Sequence, residues 1–170
     1  MLEIFNSLEP FFKESYRRIN VREYARMEKI SPPSASKYLK NFHKENMLEK
    51  EEELNYIFYV ANKKNVVFIS LSQIYWHQQF KKTGLLTYIE QELINPVIIL
   101  FGSFAKAEIT ENSDIDIAIF SHTKKRLDLN SFEKNLGRKI QIFYFQKREE
   151  IKNKELLNNI LNGYKMGGNW

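Results

Sequence analysis

An unbroken apolar run, Val97-Ile-Ile-Leu-Phe101, stops at Gly102-Ser103, and after ten intervening residues a second run starts as Asp114-Ile-Asp116-Ile and continues to Phe120. Short runs rich in isoleucine and bounded by turn residues read as buried strands, which commits this half of the chain to a sheet. Alternate side chains of a strand share a face, so Asp114 and Asp116 point the same way. Like charges that close repel, and burial raises the cost of each. A positive partner is expected, with a divalent cation the leading candidate. The chain has no cysteine, which excludes disulfides, thiolate ligands and cysteine nucleophiles and leaves carboxylates and three histidines to bind metal. Carboxylate oxygens favour Mg2+ or Mn2+ over zinc. A second reading stays open on the residues alone. The alternation in DIDIAIF also suits an edge strand with both aspartates in solvent and Gly102 as a simple turn.

From Leu85 onward the pattern predicts a helix to Leu93, a strand over Pro96 to Phe101, a helical turn after Gly102 and a strand over Asp114 to Phe120. A helix over Asn130 to Gly137, a strand over Lys139 to Phe145 and a last helix over Glu149 to Leu161 follow. Strands alternating with helices give an α/β (α+β) chain, a sheet with helices packed on it. The terminal GYKMGGNW reads as flexible, with Trp170 either docked or free.

Upstream, Ile4, Phe5, Leu8, Phe11 and Phe12 have helical spacing interrupted by Pro10, and Val21 to Met27 form a second short helix. Ser31-Pro-Pro33 predicts a helix start, with Ser31 as N-cap and Tyr38, Leu39 and Phe42 along one side. Met47-Leu48 and Leu54 to Val60 then read as two strands joined by an acidic turn. Asn62 to Lys82 suggest a short strand or turn and then a helix, with Gly84 as boundary. The expected division is residues 1–62, a connecting helix over 63–84, and residues 85–170. Trp76 and the isolated His77 are given no role.

With 43% hydrophobic residues in 170 the chain can bury a core, and its net charge of +5 suits a phosphate-rich partner or simply a soluble surface. No stretch approaches the ~18 apolar residues of a membrane span, and the start lacks a secretory pattern, so no membrane association and a cytoplasmic location are expected.

Two resemblances sharpen this reading. The segment VREYARMEKISPPSASKYLKNFHKENMLEK resembles the winged helix-turn-helix of many prokaryotic regulators. That likeness implies that the second helix of the pair enters the major groove of DNA, with Ser34, Ser36, Lys37 and Lys40 as the contacting residues. The acidic stretch Glu49, Glu51, Glu52 and Glu53 opposes a phosphate backbone, and the alternative is a winged helix used for dimerisation or protein contact.

Gly102-Ser103, the ten-residue spacer and Asp114-Ile-Asp116 resemble the signature of the DNA polymerase beta nucleotidyltransferase superfamily, closest to its minimal, small members. The resemblance implies Mg2+ or Mn2+ held by Asp114 and Asp116, which are then also the catalytic pair. It further implies a nucleoside triphosphate bound at Gly102 and Ser103, with Lys106 adding positive charge or standing merely solvated. Ser113 orients the first aspartate or serves the turn.

Two positions depart from that family. Gln141 stands where a third carboxylate is usual, and Ala107 stands where glycine is common. Glutamine cannot accept a proton, so catalysis is weakened while the fold is not. The expected activity is transfer of a nucleoside monophosphate to a hydroxyl of a protein, RNA or small molecule. Minimal members often act beside a small helical partner protein, sometimes as an antitoxin, and winged helices commonly form homodimers. The alternative is a DNA-binding transcription regulator whose transferase-like domain, weak or inactive in catalysis, senses nucleotide or only mediates assembly.

Overall fold

The computed structural model describes residues 2–169; the question of where Trp170 goes lies outside them. In chain order the elements are α1 (Leu2–Lys13), β1 (Ile19–Asn20), α2 (Val21–Glu28), α3 (Pro32–Lys44), β2 (Leu48–Glu53), β3 (Tyr56–Ala61) and α4 (Val66–Lys82). There follow α5 (Leu85–Glu92), β4 (Val97–Phe101), α6 (Gly102–Lys106), β5 (Ile115–Phe120), α7 (Asn130–Leu136), β6 (Ile140–Phe145), α8 (Lys154–Leu161) and β7 (Tyr164–Gly167), with one 3-10 turn at Arg148–Glu150. The chain forms two compact units. One runs to Ser72 and takes in Ala107–Glu111; the other is Gln73–Lys106 together with the chain from Asn112 onward. No helix among the described residues is long and apolar enough to cross a membrane.

In the first unit α1 buries Phe5, Leu8, Phe11 and Phe12. Pro10 does not interrupt it, contrary to expectation. An interior proline costs about 3 kcal/mol, whereas four buried apolar side chains contribute roughly 1.5–3 kcal/mol each, so burial wins. The Asn20 carboxamide caps α2 by accepting the Glu23 amide at 3.0 Å, and Ser31 caps α3 by accepting the Ser34 amide at 3.3 Å. The sheet is antiparallel in the order β1-β3-β2.

The expected acidic turn is instead strand. Glu49 to Glu53 pair with β3, and the turn is Leu54-Asn55, both in the left-handed region at φ 47° and 68°. Two consecutive positive φ values are what a two-residue hairpin turn needs to match the strand twist. The expected strand or turn near Val66 is likewise absent, because α4 runs unbroken from Val66, started by the Asn65 side chain accepting the Val67 and Phe68 amides. The outlying segment is fastened to this unit by Ser15, whose amide donates to the Ile109 carbonyl at 2.8 Å while its hydroxyl accepts the Ile109 amide at 3.2 Å.

The second unit holds a mixed four-stranded sheet in the order β6-β5-β4-β7, with β5 and β6 parallel and the other pairs antiparallel. The chain is thus α+β, with a mixed sheet and helices around it. The final glycine-rich stretch is not loose: β7 closes the sheet against β4. A Cβ at Gly163 would lie 2.5 Å from the Leu100 carbonyl oxygen, so only glycine lets the chain come this close. The expected last helix begins later, at Lys154, where the Asn153 side chain accepts the Glu155 and Leu156 amides.

Candidate nucleotide and cation site

Three rows of side chains cross one face of the four-stranded sheet. Val97 faces Phe120, which pairs with Phe145; Ile99 faces Ala118, which pairs with Phe143; Phe101 faces Asp116, which pairs with Gln141. The first two rows are apolar and pack with Ile151, Leu156, Leu157 and Ile160. The third row turns polar, with Asp114 one step before the strand begins. The aspartates therefore stand where the core of this face runs out. The edge-strand reading is overturned: β5 is an interior strand, flanked by β4 and β6.

Gly102 adjoins them. It follows the last residue of β4, with φ 68°, and a Cβ there would fall 2.4 Å from Asp116 Oδ2. Glycine is required twice over, for the left-handed backbone and for the space the carboxylate occupies. Asp116 is half-buried, and burial first, the Asp114 charge second, push its carboxyl above the usual carboxylate range. Asp114 Oδ2 accepts a hydrogen bond from Gln141 Nε2 at 2.6 Å.

This donor set fits a divalent cation. Two carboxylates share a face beside a glycine turn, and nothing positive among the described hydrogen bonds and ion pairs offsets the charge of Asp116. A cation would relieve both the repulsion and the burial cost. Asp114 and Asp116 would be its side-chain ligands, and when bound it would neutralise developing charge on a phosphoryl group. No group of three or more His, Asp or Glu among the described residues is placed to hold a metal.

The remaining sequence candidates divide. Ser103, half-buried, directly follows Gly102 at the start of α6. Lys106 closes α6, and its ammonium donates to Asn159 Oδ1 at 3.0 Å, a partner on α8 that no sequence signal announced. Ser113, half-buried, immediately precedes Asp114. Ala107 lies at φ 54°, a left-handed position, which accounts physically for the glycine common there in the family it resembles. On α3, Ser34, Lys37 and Lys40 are exposed and Ser36 half-buried, while Ala35, Leu39 and Phe42 are buried. The Ser34 hydroxyl sits 2.9 Å from that of Ser31, within the helix cap.

The acidic strand is partly neutralised from within its own unit. Arg18 pairs with Glu51 and Glu53, each at 2.7 Å, and lies over the Phe58 ring, while Lys50 pairs with Glu52.

Residues 87–164 match the family model described as polymerase beta, nucleotidyltransferase. The match takes in β4, Gly102-Ser103, both aspartates and β6, and supports the nucleotidyltransferase superfamily for this part of the chain. Domains of that family generally use nucleoside triphosphates and divalent metal ions. No curated protein and no solved structure matches the chain.

Proposed function

We propose that the chain is a magnesium-dependent nucleotidyltransferase that moves a nucleoside monophosphate from a nucleoside triphosphate to a hydroxyl on a protein, RNA or small molecule. The observation that carries this is the fit of Asp116 against the empty side-chain space of Gly102, with Asp114 on the same face. In the proposed reaction the acceptor oxygen bonds to the α-phosphorus as the bond from that phosphorus to the bridging oxygen of pyrophosphate breaks. Asp114 and Asp116 hold the cation, and the Gly102-Ser103 turn receives the phosphates. Incubation with radiolabelled nucleoside triphosphates and Mg2+, alone and with the product of a neighbouring gene, should label an acceptor. Asp114→Ala is expected to reduce labelling by about 10²-fold or more; labelling unchanged in that variant refutes the assignment.

A second reading is favoured by the order of elements in the first unit. Helix, short strand, two helices and a hairpin, with the sheet ordered β1-β3-β2, suit a winged helix-turn-helix, so the chain would bind DNA through α3. Lys37 and Lys40 are exposed and have no ion-pair partner among the described residues. If each neutralises one phosphate, Lys37→Ala with Lys40→Ala lowers the slope of log affinity against log salt by about 0.9 per lysine. A slope identical to that of the unaltered chain removes α3 as the contact.

A further inference from the structure

We propose that Gln141 makes this a one-cation site: the chain holds a single divalent ion with its nucleotide, and strand β6 contributes no second metal position. The inference rests on the nucleotidyltransferase reading and deepens it.

Placement is the first argument. Gln141 is the direct partner of Asp116 in the parallel β5–β6 pair, at the polar end of the third cross-strand row. A carboxylate at this position would complete a triad with Asp114 and Asp116. The residue present is a neutral amide, and among the described residues no other His, Asp or Glu makes up the triad.

Orientation is the second. The Gln141 amide is turned with Nε2 towards Asp114, donating at 2.6 Å to Oδ2. One Asp114 oxygen is thereby already engaged by a donor from β6. Amide N–H groups cannot ligate a cation, and rotating the amide to present its oxygen forfeits that hydrogen bond.

Charge is the third. Two divalent ions about 3.5–4 Å apart bring four positive charges into one small volume. Two carboxylates offset half of that, and a triad would offset three quarters. The glutamine therefore cuts the protein's own negative charge at the site to the equivalent of one ion, so that a second would depend on the triphosphate alone. It also leaves β6 without a carboxylate to accept the proton of an attacking hydroxyl.

The test counts metal without requiring turnover. Mn2+ is titrated into the full chain carrying one equivalent of adenosine 5′-(α,β-methylene)triphosphate, and bound Mn2+ is read by electron paramagnetic resonance. The expected result is one equivalent with an uncoupled spectrum. Gln141→Asp should take up a second equivalent, spin-coupled to the first and roughly 10–100-fold tighter than any further Mn2+ on the unaltered chain. Two coupled ions in the unaltered chain overturn the proposal, as does a single uncoupled ion in a folded Gln141→Asp that still binds the nucleotide. If Gln141→Asp does not fold, the spectrum of the unaltered chain decides alone. Failure of the unaltered chain to bind Mn2+ with this analogue or with its guanosine, cytidine and uridine counterparts refutes the transferase reading itself, and is distinct from binding two.

Discussion

His77 shows how one side chain can tie stability to pH. Its Nε2 is buried without a hydrogen-bond partner, and its Nδ1 meets the Tyr164 hydroxyl at 3.3 Å. Burial first, and Lys81 second, hold its pKa below the usual imidazole range. The folded chain thus prefers neutral His77, whereas the unfolded chain binds a proton near pH 6.5. Its depressed pKa contributes stability that is fully present above about pH 6.5 and is lost as pH falls below that value. His77→Gln removes this titration, so the urea midpoint of the unaltered chain should fall relative to that of the variant between pH 7.5 and 5.5. A pH-independent difference between the two would show that His77 does not titrate on unfolding. Ala107 makes a different single-residue compromise. Its left-handed backbone costs about 1–2 kcal/mol, and its fully buried methyl returns roughly 0.8 kcal/mol, so alanine is tolerated where glycine would be unstrained.

At the scale of elements, the β2–β3 hairpin is held by a turn whose chemistry is poor. Leu54 is 86% exposed yet sits at φ 47°, so it accepts left-handed strain with no burial in return. Replacing Leu54-Asn55 by Asn-Gly should stabilise the chain by about 1 kcal/mol, read as a rise of roughly 2–4 °C in Tm. A fall in Tm would mean that Leu54 makes a contact its exposure does not suggest. This turn also marks the limit of what the sequence discloses. Leu54 carries no turn signal, so in the sequence it reads as the start of a strand and the glutamates before it as the turn. Likewise β7 hides behind Gly163 and Gly167, residues that usually announce flexibility; here they allow close approach to β4 and its neighbours. By contrast VIILF, DIDIAIF and Ser31-Pro-Pro33 each carry their own local signal, and β4, β5 and the start of α3 fall within a residue of where those signals put them. The closeness of Gly102 to Asp116 is legible because their spacing is local. The Gln141 to Asp114 hydrogen bond spans 27 residues, so only its register, not its geometry, could be read in advance.

The molecule as a whole is not divided at one point along the chain. Ala107–Glu111 belong to the first unit although α6 before them and β5 after them belong to the second. A chain cut after Ser72 therefore loses the carbonyl that accepts the Ser15 amide, while a fragment beginning at Gln73 carries Ile109 without the Ser15 groups it bonds. Residues 1–72 and 73–170 made separately should each be less stable than the intact chain, with broader, earlier thermal transitions and greater binding of hydrophobic dye. Two fragments that melt as sharply as the parent would show that the outlying segment is dispensable. The same threading bears on synthesis. A ribosome has released the whole of β4, five buried apolar residues, before Glu111 emerges to complete the earlier unit, and the flanking strands β5 and β7 are translated later still. For that interval VIILF stands as a bare, sticky ribbon on the nascent polypeptide. Slow translation there, or a shortage of chaperones, would divert this product towards aggregates before either half had finished folding.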